Sequence, residues 1–406
     1  MNTLIVGAVL LSAGLGLTTS AGRENPHWVC CWGGSPQLTE PGNLPPSPGL
    51  ADSTLRQVVH LSLGSNRFRF HFSNAYGTRP LTLMAVHIAQ SAGSGKIDVA
   101  SDTPLAFGGQ PSVTIPPGAE FASDPVKFDA KALTDVMVTI RVQDATRTIT
   151  GHPGARCTSY ITSGDHVSDA SLPDAVPVQH WYYISALDAQ APASSATVAI
   201  IGDSITDGRG STTDENRRWP DFLARRLQAD KVAHRIAIVN QGIGGNRILN
   251  DGLGPSVMAR FDRDVIGRAG VKWVVLFEGI NDFGTKSGAQ GPGRLAQEIA
   301  NDLIAAYSEL INRAHDHGIK AIGATITPCG ESFYFSPELE AARQSFNKWI
   351  RTSGKFDAVF DFDKAIQDPN TPTILRAQAD SGDHLHLSDE GYRLLAESID
   401  IGFFTK

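Results

Sequence analysis

Zinc-binding spacings are missing from this sequence. Its four cysteines, Cys30, Cys31, Cys157 and Cys329, fit no metal-ligand pattern, and no H-E-x-x-H run occurs. The expectation is no metal and no cofactor. A basic excess is missing too: the formal net charge is -7, which speaks against a nucleic-acid partner, since phosphates need a basic face. No N-x-S/T sequon is present. After the N-terminus no apolar run is long enough for a membrane helix, so no stable membrane insertion is expected. A phosphate loop is also absent: near Gly93, Gln90 stands where the first glycine belongs and Ile97 where Ser or Thr belongs. "GIGGNR" lacks the last glycine of a dinucleotide fingerprint, having Arg247 there. Oligomeric state is not readable.

What is present begins with an export signal. Leu4 to Leu17 is apolar but short, and Thr19-Ser20-Ala21 supplies small residues for cleavage. No Lys or Arg precedes the run, so the terminal amine alone supplies the positive end. Residues 1–21 are read as a signal peptide and the protein as secreted. In an oxidising compartment Cys30 or Cys31 is expected to pair with Cys157, because a bridge between the adjacent Cys30 and Cys31 would be strained.

The remaining length suits two domains. Residues 22–185 look all-β. "RFRFHFSNAYG" (Arg67 to Gly77) and "DVMVTIRVQD" (Asp135 to Asp144) alternate with period two, and "TIPPGAEF" and "GHPGARC" are turn chemistry. Short strands without helices predict a sandwich or jelly roll. Trp28 and Trp32 read as packing residues. Residues 186–196, "ALDAQAPASSA", are small and proline-bearing and read as a linker. Residues 197–406 alternate strands with helices, which predicts a mostly parallel sheet covered by helices on both faces. The segment after Arg294 places Leu295, Ile299, Leu303, Tyr307, Leu310 and Ala314 on one helical stripe.

Four segments fall at strand ends, where such sheets gather function. They are Gly202-Asp203-Ser204-Ile205-Thr206, "NQGIGGN" (Asn240 to Asn246), Gly279-Ile280-Asn281-Asp282, and Asp383-His384-Leu385-His386. Together they carry the groups of acyl transfer. A serine hydroxyl needs a base, histidine has a suitable pKa, and a carboxylate must orient it. Backbone N–H groups and a side-chain amide can hold an oxyanion. His386 is preferred over His384 as the base by its spacing from Asp383. Thr206 stands where a G-x-S-x-G elbow needs glycine, which argues against an α/β-hydrolase. His315 and His317, at a polar helix end, read as solvated.

The four blocks, in this order, resemble the SGNH or GDSL-type hydrolase family. The resemblance covers the C-terminal half and implies a three-layer α/β/α fold of flavodoxin-like kind, with Ser204 as nucleophile, Asp383 and His386 as its partners, and Ser204, Gly245 and Asn281 as oxyanion donors. "HWVCCWGGSPQ", "SNAYG" and "TSYITSGDH" resemble the β-domain that precedes the hydrolase domain in some secreted members. The implied activity is a serine esterase acting through an acyl-enzyme. The loops "GRGSTTDENRRWP" and "FGTKSGAQGPGR" are polar and glycine-rich, so a short-acyl, acetyl-type ester of a carbohydrate or small alcohol is expected. A GDSL-type lipase or lysophospholipase is the alternative. In another class stands a non-catalytic protein binding polysaccharide or a cell surface on a hydrolase fold.

Overall fold

The computed structural model describes residues 26–145 and 148–405. The expected signal peptide lies outside them. In the strand Ser65–Ser73, Phe68, Phe70 and Phe72 are fully buried while Arg67 and Arg69 face outward. That alternation builds an antiparallel sheet from Ser65–Ser73, Ile184–Ala191, His27–Gly33 and Val126–Ala130, with Glu120–Ala122 alongside. A second antiparallel sheet centres on Ser53–His60, Asp135–Val142 and Leu81–Gly93. Side chains of both sheets share one apolar core, including Phe70, Val138 and Ile140. Trp32 packs edge-on against Trp181 in it, with centroids 4.9 Å apart. A small third sheet joins Gln37–Leu38, Thr150–His152 and Trp181–Tyr182.

The expected linker is a correction. Ile184–Ala191 is a strand paired on both sides, with His27–Gly33 and Ser65–Ser73. Only Pro192 to Ser195 separate it from the next strand, Ala196–Gly202. Its small residues serve close packing: buried Ala186 shares an apolar cluster with Ile201 and Val239 of the following domain.

That domain holds five parallel strands, Ala196–Gly202, Ile236–Gly242, Val271–Phe277, Lys320–Ala324 and Ala358–Phe360. Numbered along the chain they lie in the order 2-1-3-4-5. Helices and two apolar clusters cover the two faces. Ile299, Leu303, Tyr307, Leu310 and Ala314 of the helix Ala296–Asp316 are buried as its stripe predicts. Leu295 departs from the stripe. It precedes the first helical residue and stays exposed, because the helical period does not yet govern its direction. Among the described residues no helix is long and apolar enough to cross a membrane.

The cysteine expectation also fails. All four are unpaired and buried. Cys30 donates to the Trp32 carbonyl (3.2 Å), Cys31 to that of Leu187 (3.3 Å) and Cys157 to that of Val58 (3.7 Å). Each thiol fills its own packing position, and burial pushes its ionisation upward.

Ile236–Gly242 is an edge of the parallel sheet, and the β-domain covers it. The Ser62 hydroxyl accepts the Ile238 N–H (2.9 Å) and lies within donating distance of the Ile238 and Cys31 carbonyls (2.8 and 2.6 Å). An edge strand is thereby satisfied and shielded. Ser62→Ala strands a buried N–H, so unfolding in urea should show a loss of about 1–3 kcal/mol. An unchanged midpoint would show that water replaces the hydroxyl.

Candidate active site

Register brings the site together. Gly202 lies level with Gly242 on one neighbouring strand and Phe277 on the other. The three strands therefore end together, at the point where the strand order reverses. Ser204, Gly245 and Asn281 follow within a few residues. Gly202 has no room for a side chain, since a Cβ there would lie 2.3 Å from Thr206 Oγ1 and 2.7 Å from the Phe277 carbonyl. Asp203 then caps the short helix Ser204–Asp207, its carboxylate accepting the Ile205 N–H at 2.8 Å. The cap sets Ser204 at a helix start with its backbone N–H outside the intrahelical ladder.

Asp383 and His386 come from the loop before the helix Asp389–Glu397, which Ser388 caps through the Gly391 N–H (3.2 Å). Ser204 Oγ is 2.7 Å from His386 Nε2, and His386 Nδ1 is 2.6 Å from Asp383 Oδ2. Nδ1–H donating to the carboxylate leaves the Nε2 lone pair for the serine proton. Asp383 also accepts the His386 and Leu385 N–H groups at 2.8 and 3.1 Å. Its partial burial opposes ionisation, yet these bonds outweigh it and hold the carboxyl at about 2. Burial lowers the His386 pKa, Asp383 raises it, and the Arg209 and Arg156 guanidiniums lower it; the net direction is down. His384 points elsewhere, its Nδ1 2.6 Å from Asp380 Oδ2. His315 pairs with Asp357 at 2.9 Å on the exposed side.

Gly245 holds φ at +71°, and a Cβ there would lie 2.4 Å from Leu253 Cδ1. The Asn281 amide is oriented at both ends. Its Nδ2 donates to the Asn246 carbonyl and its Oδ1 accepts from the Tyr334 hydroxyl, each at 3.0 Å. The second Nδ2 hydrogen is left for the cavity. Ser204, Gly245, Asn281 and His386 line one cavity of about 510 Å³. The arrangement can deliver a serine oxygen to a carbonyl carbon and place N–H donors around the oxygen that becomes negative.

Asp282 serves the scaffold, accepting the Ile248 and Leu249 N–H groups at 3.0 and 3.1 Å. Burial pushes it and Asp203 up to about 7, and pushes the neighbouring Glu278 well above its usual range.

Sequence reasoning missed three parts of this site. Tyr334 was one; its signal was the aromatic run Phe333-Tyr334-Phe335 beyond a strand end. Leu253 and Phe333 were another. Both are exposed, Phe333 at 73%, and both line the cavity, so the mouth carries apolar surface that the polar loops did not announce. The third is the β-domain, which supplies Gln37, Glu40, Asn43, Arg156, Gln179 and His180 to the cavity wall. Tyr334→Phe removes one hydrogen bond that orients Asn281. It should lower kcat about fivefold with little change in KM, corresponding to about 1 kcal/mol. A rise in KM alone would make Tyr334 a binding group.

Comparison with known proteins agrees with the second half of the chain. Residues 200–394 match the GDSL-like Lipase/Acylhydrolase family. Similar solved structures include the acetyl xylan esterase AlAXEase, at 23% identity and TM-score 0.37, covering 50% of this chain and 96% of that one. Est24, a carbohydrate acetylesterase from Sinorhizobium meliloti, gives 18% identity and TM-score 0.39, covering 50% and 96%. A catalytic mutant of an acetylxylan esterase from Geobacillus stearothermophilus gives 22% and 0.37, covering 50% and 91%. Among curated proteins no match is found. The parallel-sheet half of this chain is a hydrolase domain of the GDSL-like lipase/acylhydrolase family, preceded by an antiparallel all-β region.

Proposed function

We propose that the protein is a secreted serine esterase that cleaves short-acyl esters of carbohydrates or small alcohols through an acyl-enzyme. The observation that carries this reading is the unbroken hydrogen-bonded chain from Ser204 Oγ through His386 to Asp383, opening on the cavity (2.7 and 2.6 Å). In it Ser204 attacks the ester carbonyl, His386 takes the proton, and Asp383 stabilises the imidazolium that forms. The Ser204 and Gly245 N–H groups and the Asn281 amide hold the oxyanion. His386 then returns the proton to the leaving alcohol, and water repeats the sequence on the acyl-enzyme. A non-catalytic binding role has no need of these paired groups. The export reading rests on residues 1–21 and is checked by sequencing the mature N-terminus.

A short acyl group suits the polar, glycine-rich segments that follow Ser204 and Asp282. Leu253 and Phe333 favour a second reading, a lipase with a longer acyl chain, since each buried methylene adds about 0.8 kcal/mol.

Ser204→Ala should fold normally and lose roughly three or more orders of magnitude in kcat. A fluorophosphonate should label Ser204 alone, and labelling of another serine would overturn the assignment. On p-nitrophenyl esters from acetate to palmitate, kcat/KM should peak at short chains. A maximum at eight carbons or more would establish the lipase reading instead.

The pH profile follows from His386. The base acts when neutral, and burial together with Arg209 and Arg156 outweighs Asp383 in lowering its pKa from 6.5. The acid limb of kcat/KM on a neutral ester should therefore have its midpoint below 6.5. A midpoint above 6.5 would mean that Asp383 dominates.

A further inference from the structure

The turn "GHPGARC", unremarkable as sequence, docks on the helix that carries Ser204. His152 Nδ1–H donates to the Ser35 carbonyl at 2.9 Å, and its Nε2 lies 2.8 Å from Asp207 Oδ1. His152 and Asp207 are both buried. A Cβ on Gly154 would fall 1.7 Å from Asp207 Oδ2, so only glycine lets the turn come this close. The turn presents Arg156 to the cavity in the left-handed region, with φ at +52°. A non-glycine residue held there marks a position that its surroundings over-determine.

Arg156 shares the cavity of Ser204 and His386. In ester cleavage the oxygen that departs must come within reach of His386 Nε2, which protonates it. Arg156 and Arg209 both line the cavity and both act on His386 electrostatically. Glu40 on this wall accepts from Gln37 (2.6 Å) and Asn43 (3.0 Å), while Asp207 is held by His152 through Oδ1 and its Oδ2 makes no hydrogen bond. Arg156 reaches Asp207 only at 3.7 Å, and its Nε is buried without a hydrogen-bond partner. Among the described residues the Arg209 guanidinium has no hydrogen bond or ion pair, and Arg209 is exposed. Two guanidiniums with unused donors thus share the cavity with His386, and the amides of Gln37, Asn43 and Gln179 line it too. Guanidinium donors match a carboxylate, and amides match hydroxyl groups.

We propose that Arg156 and Arg209 select esters whose alcohol part is an acidic saccharide, each able to bind a sugar carboxylate beside the scissile bond. The inference rests on the esterase reading and adds the chemical class of the alcohol. It also gives the β-domain a direct part in specificity, since Arg156 is one of its residues.

The test compares an O-acetylated uronic-acid oligosaccharide with its carboxyl-reduced, neutral counterpart, using the full chain and measuring acetate release. The acidic substrate should be preferred at least about tenfold in kcat/KM, through KM, with the preference shrinking as salt rises. Arg156→Ala should bring the ratio towards one. Arg209→Glu, at an exposed position where folding is not at stake, should invert it. Equal rates on the two substrates in the wild type would overturn the proposal, as would a ratio that neither variant changes. Hydrolysis of p-nitrophenyl acetate in the same preparation separates the two levels. If that ester is cleaved and the ratio is one, only the specificity falls; if no ester is cleaved and no serine is labelled, the esterase reading falls and the proposal with it.

Discussion

The buried guanidinium of Arg260 holds the site's scaffold at one point. It donates to the carbonyls of Gly202 (3.1 Å) and Gln241 (2.6 Å), at the ends of two adjacent parallel strands. It also donates to Asn246 Oδ1 (3.0 Å), in the loop that carries Gly245. Asn246 in turn accepts the Asn281 amide through its carbonyl. One side chain thus spaces the segments of the proposed nucleophile and both loops that bring oxyanion donors. Its charge is balanced by Asp264, 3.1 Å away and itself fully buried. Removing one member of such a pair strands the other, at about 3–5 kcal/mol. Arg260 therefore acts less as a source of net stability than as a fixed spacer among strand ends.

The same pair fastens the β-domain. Asp264 also binds Arg263 (2.7 Å) and the Ser35 hydroxyl, and Arg263 donates to the Pro36 carbonyl at 2.9 Å. Ser35 further accepts from His152 through its carbonyl. Positioning of the strand ends and docking of the β-domain are thus one network of shared groups. Ser62 on the sheet edge and Ala186 in the shared apolar cluster add two more points of attachment. A domain attached at so many buried points forms a wall of the cavity and is not a tethered accessory.

A rigid frame suits the chemistry proposed here. Oxyanion donors help only when they already point at the developing charge, because reorienting them during reaction would add to the barrier. Asp203 capping the Ser204 helix, Asp282 holding the Ile248 and Leu249 amides, and Tyr334 holding Asn281 each fix a donor or its loop in advance. These second partners explain why two acidic residues lie in the motifs without lining the cavity.

Local pattern by itself determined the two fold classes, the period-two strands such as Ser65–Ser73, the helix stripe from Ile299 to Ala314, and the four segments at the strand ends. Those features depend on residues close in sequence, where periodicity and turn chemistry are written directly. Composition misled where distant packing ruled. The alanines of Ile184–Ala191 looked flexible, although small residues were needed between two domains, and the cysteines looked like a pair, although each fills a separate gap. The meeting of Ser204 with His386 across 182 positions, the Tyr334 bond to Asn281, the Arg260 spacer and the β-domain wall with Arg156 were decided only by the tertiary structure. Each depends on strand register and on the docking of one domain against the other, and no local window of sequence contains both partners of such a contact.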